Sequence, residues 1–176
     1  MRLARIGPDA IFYRFLSPRW AFLPTSGAGA AQNGGRFNRP GVEALYLAAD
    51  PATALAEYRQ DASIVPPGIL VAYRVALADV VDFSSGYDPA AWPSVWENCD
   101  CDWKFIARIE HRDPPTWHIS DQLVQAGRRG LLYPSMRHPG GINLALFLAN
   151  LDAEDSIEPH DPDHRLPHDQ RSWDPR

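Results

Sequence analysis

The sequence predicts a mixed α+β fold in one main domain, and three observations carry that prediction. Seventeen prolines are spread over 176 residues. Each removes a backbone donor and blocks the preceding helical turn, so a helical bundle is excluded. Several apolar stretches are too short for helices and are rich in residues that suit buried strands. Strands and helices do not alternate regularly, which argues against a parallel βαβ sheet.

The elements follow in order. Ile11 to Leu16 (IFYRFL) reads as a strand, and Thr25 to Arg36 (TSGAGAAQNGGR) as a Gly-rich loop. Ala44 to Ala48 (ALYLA) is a short apolar strand. Asp50 and Pro51 then open a helix through Gln60, because Asp caps free amides and Pro suits the first helical position. Ile69 to Ala76 is a clear strand and Val80 to Phe83 a second. Ser84 to Pro115, with three of the six Trp, reads as short helices joined by turns. Trp117 to Ala126 is helical, with Gly127 as its stop. Leu131 to Tyr133 and Ile142 to Leu148 are short buried strands. Residues 152–176 are acidic, Pro-rich and poor in aliphatics, and predict an extended or partly disordered tail after a domain of residues 1–151.

The length is enough to bury a core without disulfide or metal staples. No apolar run approaches the roughly 18 residues of a membrane helix. The N-terminus lacks the apolar core of a secretory signal. Cys99 and Cys101 sit too close together for a disulfide framework, so the expected compartment is the cytoplasm. Net charge is −5, and the tail carries all of it: eight acids and three Arg follow Leu151, with fourteen charges of each sign before. A neutral body argues against direct nucleic-acid binding, which needs a basic patch. Sixteen of the seventeen cations are Arg, the residue that forks onto phosphates and carboxylates.

Four words stand out: GGRFN (Gly34 to Asn38), ALYLA, ALAEY (Ala54 to Tyr58) and YPSMR (Tyr133 to Arg137). Arg36 follows two glycines that let backbone approach a ligand, and its guanidinium can pair with a pyrophosphate. Arg39 either adds a second phosphate contact or points to solvent. Glu57 sits on an apolar helix whose Ala54, Leu55 and Tyr58 should turn to the core. A carboxylate at that margin can stabilise positive charge in a transition state. Taken singly, Tyr46 reads as packing and Ser135 as a turn hydroxyl. Asn38, Arg137 and Asn143 are further candidates for lining a cleft. Cys99 and Cys101, with His111 and His118, suggest zinc only weakly, because C-x-C is cramped for a structural site. His160, His164 and His168 recur every four residues, but Pro162 and Pro167 would break the helix that could align them. No metal is expected.

Ordered as Arg36, Tyr46, Glu57 and Ser135, these words resemble the RES-domain family from about Ile11 to Leu148. Its members look like toxins of bacterial toxin–antitoxin pairs, encoded beside an Xre-like helix-turn-helix antitoxin. The resemblance implies a split β core with a NAD cleft, similar to ADP-ribosyltransferase toxins. It implies NAD as substrate, cleaved at the nicotinamide–ribose bond, with ADP-ribose passed to water or to a target protein. A nucleotide-synthesis enzyme such as phosphoribosyl-pyrophosphate synthetase is one such target. By the same resemblance Arg36 holds the NAD phosphates and Tyr46 stacks on or walls the nicotinamide; Arg39 and Asn143 complete the expected NAD-binding set. Glu57 stabilises the oxocarbenium ion, and Ser135 orients Glu57 or the ribose. Two positions depart from the pattern. Arg39 replaces a usual Pro, and Leu55 stands where arginine-directed transferases carry a second Glu or Gln. A non-catalytic binding module on the same fold is the alternative from another class.

Overall fold

In the computed structural model, which describes residues 1–171, six strands form one connected sheet. β1 (Leu3–Leu16), β2 (Ala44–Ala48), β3 (Ile69–Asp82), β4 (Gly130–Pro134), β5 (Ile142–Phe147) and β6 (Ser156–Pro159) lie in the order β1-β2-β5-β4-β3-β6. β1 also pairs with β3, so the sheet curls back on itself like a barrel. The expected mixture of α and β is present, but the β part is one closed sheet and not a split core.

β1 and β3 form a long antiparallel pair from Leu16↔Ile69 to Leu3↔Val81. β1 begins earlier than the expected Ile11. Gly7, Pro8 and Asp9 are turn-forming residue types, yet the pairing absorbs them as an irregularity between Ile6 and Ala10, a place where a sheet tolerates Pro. The two strands expected at 69–76 and 80–83 are one strand through Asp79, whose φ is 48°. That turn of the backbone lets the end of β3 leave β6 and run parallel to β4, with Val80 opposite Gly130.

β2 and β5 pair antiparallel from Ala44↔Phe147 to Ala48↔Asn143. Side chains alternate across a strand. Leu45, Leu47, Leu144 and Leu146 therefore enter one core, with Phe12, Tyr73 and Val75. Ala145 and Phe147 enter a second, with Phe37, Trp92, Trp96 and Ile119. Tyr46 and Asn143 share that second face, diagonally across the β2–β5 pair. Phe83, Trp92 and Trp96 pack with ring centroids 4.5–5.0 Å apart, the use made of the Trp-rich stretch.

The described residues form four α-helices, α1 (Ala28–Asn33), α2 (Pro51–Arg59), α3 (Trp103–Arg108) and α4 (Pro115–Gln125), besides short 3-10 turns. α1 lies inside the expected Gly-rich loop. Ala30, Ala31 and Gln32 favour helix, and Gly34 at φ 69° stops it. α2 packs on β1 and β2. The acidic segment after Leu151 is in part a paired strand: β6 hydrogen-bonds β3, Ile157 and Leu166 pack on the first core, and Arg129 bridges Asp152 and Asp155. No described helix is long and apolar enough to cross a membrane.

Candidate active site

A cavity of about 430 Å³ opens where α2 crosses β1 and β2, within the range that holds small ligands. Its wall includes Arg36, Tyr46, Glu57, Arg137 and Asn143, so residues distant in sequence meet there. Ser135 reaches the same place through Glu57.

Glu57 owes its position to the start of α2. Asp50 caps the helix: its Oδ1 accepts from the Thr53 amide at 2.9 Å and its Oδ2 from the Thr53 hydroxyl at 2.6 Å. The buried face of α2 carries Thr53 and Ala54, with Glu57 and Tyr58 half-buried. Leu55, expected in the core, is 38% exposed. One more step around the helix turns it outward.

The Glu57 carboxylate is gripped at one oxygen. Oε1 accepts from the Ser135 hydroxyl at 2.8 Å and from the Asn143 amide at 2.6 Å. The Ser135 oxygen itself accepts from the amides of Arg137 and His138 at 3.1 and 3.0 Å. Its acceptor sites are thus filled, and its single proton is directed at Glu57. Oε2 has no hydrogen-bond partner among the described residues and is the oxygen left for a ligand. Of the two roles open to Ser135, the geometry presents the one toward Glu57. Asn143, expected among the NAD-binding residues, lines the cavity and is the second donor to that carboxylate.

Arg36 stands on the same wall. One guanidinium nitrogen, Nη1, donates to the carbonyls of Cys99 and Cys101 at 2.9 and 2.8 Å. The C-D-C segment is thus a carbonyl cradle that aims an arginine. Burial pushes the Cys99 thiol up to about 12, so it stays protonated and unreactive. Among the described residues, no three His, Cys, Asp or Glu gather where they could hold a metal.

Tyr46 ties the GGRFN loop together. Its hydroxyl accepts from the Phe37 amide at 3.0 Å and donates to Asn38 Oδ1 at 2.7 Å. Burial raises its pKa above the ordinary phenol value, so the donated proton stays in place. Asn38 is 1% exposed and off the cavity wall; its amide donates to the carbonyls of Ala30, Arg39 and Val42. A Cβ on Gly35 would lie 2.5 Å from both Asn38 Oδ1 and the Tyr46 hydroxyl. Only glycine fits beneath this pair.

Arg39 does not reach the cavity, which corrects the expected phosphate contact. Its guanidinium pairs with Asp121 through Nε and Nη2, the latter at 2.7 Å, and with Asp113 at 3.0 Å. It also lies over the Trp117 ring. With its donors committed to two carboxylates, it fastens the loop to α4. Arg137 does line the cavity and is held at the rim by Asp61.

Several further residues line the wall, most of them outside the four sequence words. Arg14 lines the cavity, with only long contacts of 3.4 Å to the carbonyls of Pro24 and Ser26. Burial lowers its pKa. Lys104 and the ring of Trp103 come from α3; Phe15 and Tyr58, stacked at 5.4 Å, form another part of the wall. Arg14, Arg36, Lys104 and Arg137 outnumber Glu57 and Asp102, so the cavity is biased toward anions. IFYRF carried the one available signal: an Arg between aromatics in a strand that otherwise buries apolar side chains.

The sequence matches the RES domain over residues 11–169. No curated protein is significantly similar to it. The fold is similar to a chain in the crystal structure of the M. tuberculosis MbcT–MbcA toxin–antitoxin complex. The TM-score is 0.57 at 19% identity, over 89% of this chain and 84% of that one. The RES match takes in every strand from β2 to β6 and all of the residues that converge on Glu57, so this chain belongs to the RES domain family.

Proposed function

We propose that this protein is the toxin of a toxin–antitoxin pair and that it cleaves the nicotinamide–ribose bond of NAD in the cytoplasm. The observation that carries the reading is the Glu57 carboxylate, held at Oε1 by Ser135 and Asn143, with Oε2 free, in a cavity that also carries Arg36. A fixed carboxylate is the right group for this bond. As the C1′–N bond breaks, its electron pair goes to the pyridinium nitrogen and nicotinamide leaves neutral. Positive charge is left on the ribose, where a preorganised anion lowers the barrier. No acid is needed for the leaving group, so one carboxylate suffices where ordinary glycosidases use two. The acceptor oxygen then bonds to C1′ and releases its proton. Arg36 and the cation excess suit the pyrophosphate.

Water or a protein side chain can take the ADP-ribose. Leu55 has no hydrogen-bonding group to activate an arginine acceptor, which favours water over arginine. The partner is an Xre-like helix-turn-helix antitoxin that covers the cavity mouth.

The test is nicotinamide release from NAD by the purified protein, measured chromatographically. Glu57→Gln keeps an acceptor for Ser135 and Asn143 but removes the charge. It should stay folded and lose about 10²–10³ in rate. Release by Glu57→Gln equal to that of the unmodified protein refutes the assignment.

A further inference from the structure

Glu57 is not the only residue of α2 that holds the 135–138 turn. Thr53 lies four residues earlier, one helical turn away on the same face. Its hydroxyl oxygen is 2.7 Å from Nδ1 of His138 and 2.6 Å from Oδ2 of Asp50. Thr53 is fully buried. These contacts determine where the protons are. The two Thr53 hydrogen bonds hold the Asp50 carboxyl below the ordinary carboxylate range, so Asp50 is ionised and can only accept. A threonine hydroxyl has one proton. It goes to Asp50, and Thr53 then faces His138 as an acceptor. Nδ1 of His138 must therefore carry the proton that joins them.

The same residue reaches Glu57 by another route. The His138 backbone amide donates to the Ser135 oxygen, whose hydroxyl donates to Glu57 Oε1. The turn is closed behind by two backbone bonds: the Ser135 amide to the Gly141 carbonyl at 2.8 Å, and the Gly141 amide to the His138 carbonyl at 2.9 Å. Space is made for the contact at Gly141. A Cβ there would lie 2.2 Å from the Thr53 hydroxyl oxygen and 2.9 Å from His138 Nδ1.

We propose that His138 is a positioning residue: its ring, docked on Thr53, which Asp50 in turn holds, locks the Ser135 turn against α2 and so fixes the carboxylate of Glu57. Two adjacent turns of one helix grip two ends of one loop, Thr53 through the His138 ring and Glu57 through the Ser135 hydroxyl. Freed at one end, the loop can withdraw the Ser135 proton from Oε1, and Asn143 alone leaves the carboxylate room to swing. A misplacement of about 1 Å in a reacting group costs on the order of 10² in rate; a partial loosening should cost about tenfold. The role in turnover rests on Glu57 acting as proposed above, whereas the clamp itself does not.

Two measurements test it, in the full chain. In the first, nicotinamide release is compared for the unmodified protein, His138→Ala, Thr53→Val and His138→Asn. An asparagine amide can stand where Nδ1–H stands. Alanine at 138 and valine at 53 should each lower kcat about tenfold with KM for NAD within twofold, and Asn at 138 should recover most of the loss. In the second, deuterium exchange is followed at the Arg137 amide, which donates to Ser135. It should speed at least tenfold in His138→Ala while the amide of Leu144 in β5 keeps its protection. A rise in KM with kcat unchanged, or Asn as slow as Ala, overturns the positioning role. Unchanged exchange at Arg137 overturns the clamp whatever the kinetics. If the unmodified protein releases no nicotinamide, the proposed function fails and the exchange result alone decides the clamp.

Discussion

Replacing Tyr46 by Phe removes one oxygen and leaves the ring. From the sequence alone little harm is expected, because an aromatic face is all that stacking on a nicotinamide requires. The structure predicts otherwise. The hydroxyl is the common partner of the Phe37 amide and of Asn38 Oδ1, at 3.0 and 2.7 Å. Phe37 and Asn38 are 0% and 1% exposed, so water cannot replace the oxygen without opening the loop. Each orphaned group costs about 1–2 kcal/mol, so Tyr46→Phe should lose about 2–4 kcal/mol in all. A domain of this size holds about 5–15 kcal/mol and would stay folded at 25 °C. Its Tm should fall by roughly 5–15 °C. Arg36 is carried by the same loop, so NAD affinity should fall with stability. Urea unfolding and calorimetric titration with NAD measure the two effects. A change below about 0.5 kcal/mol together with unaltered affinity would show that the hydroxyl does not organise the loop, and would restore the view that only the ring matters.

Arg36→Lys should weaken NAD binding at least tenfold by calorimetry on folded protein, because an ammonium cannot keep two carbonyl contacts and also present a planar fork; unchanged affinity rejects the phosphate role. Arg39→Ala should behave oppositely, costing about 1 kcal/mol of stability while NAD affinity stays within twofold, since its contacts are partly exposed ion pairs with Asp113 and Asp121. A large loss of affinity in that variant would return Arg39 to the cavity. Truncation after Leu151 removes β6, the carboxylates that pair Arg129, and Ile157 and Leu166 from the core. It should lower Tm markedly and leave turnover per folded molecule near that of the full chain; a large rise in turnover would make the segment an autoinhibitor.

Local chemistry was legible where an element depends on its own residues. ALYLA is a strand from Ala44 to Ala48, and α2 begins at Asp50 and Pro51, as propensity and capping require. The family could be read because its words are local and ordered, and the structure brings Arg36, Tyr46 and Glu57 to one wall, with Ser135 behind. Contacts between distant segments were not legible. Arg39 looked free for a phosphate until Asp121, 82 residues away, took it. Asn143 does line the cleft, as expected, but its bond to Glu57 could not be read, because it follows from strand alternation and the pairing of Ala48 with Asn143.

The same division runs through the fold. Gly7, Pro8 and Asp9 signal a turn by local rules, and β3 overrules them by pairing on both sides of the irregularity. The composition of residues 152–159 speaks for disorder, yet the open edge of β3 offers unpaired amides and carbonyls, and Ile157 and Arg129 supply enough contact to hold a strand there. Propensity, capping and residue chemistry are local, so the chain's own residues set which segments could be strand or helix and which side chains could do chemistry. Which of those side chains kept a free hydrogen-bonding group depends on the fold, because every donor and acceptor is claimed by whatever lies within about 3 Å of it.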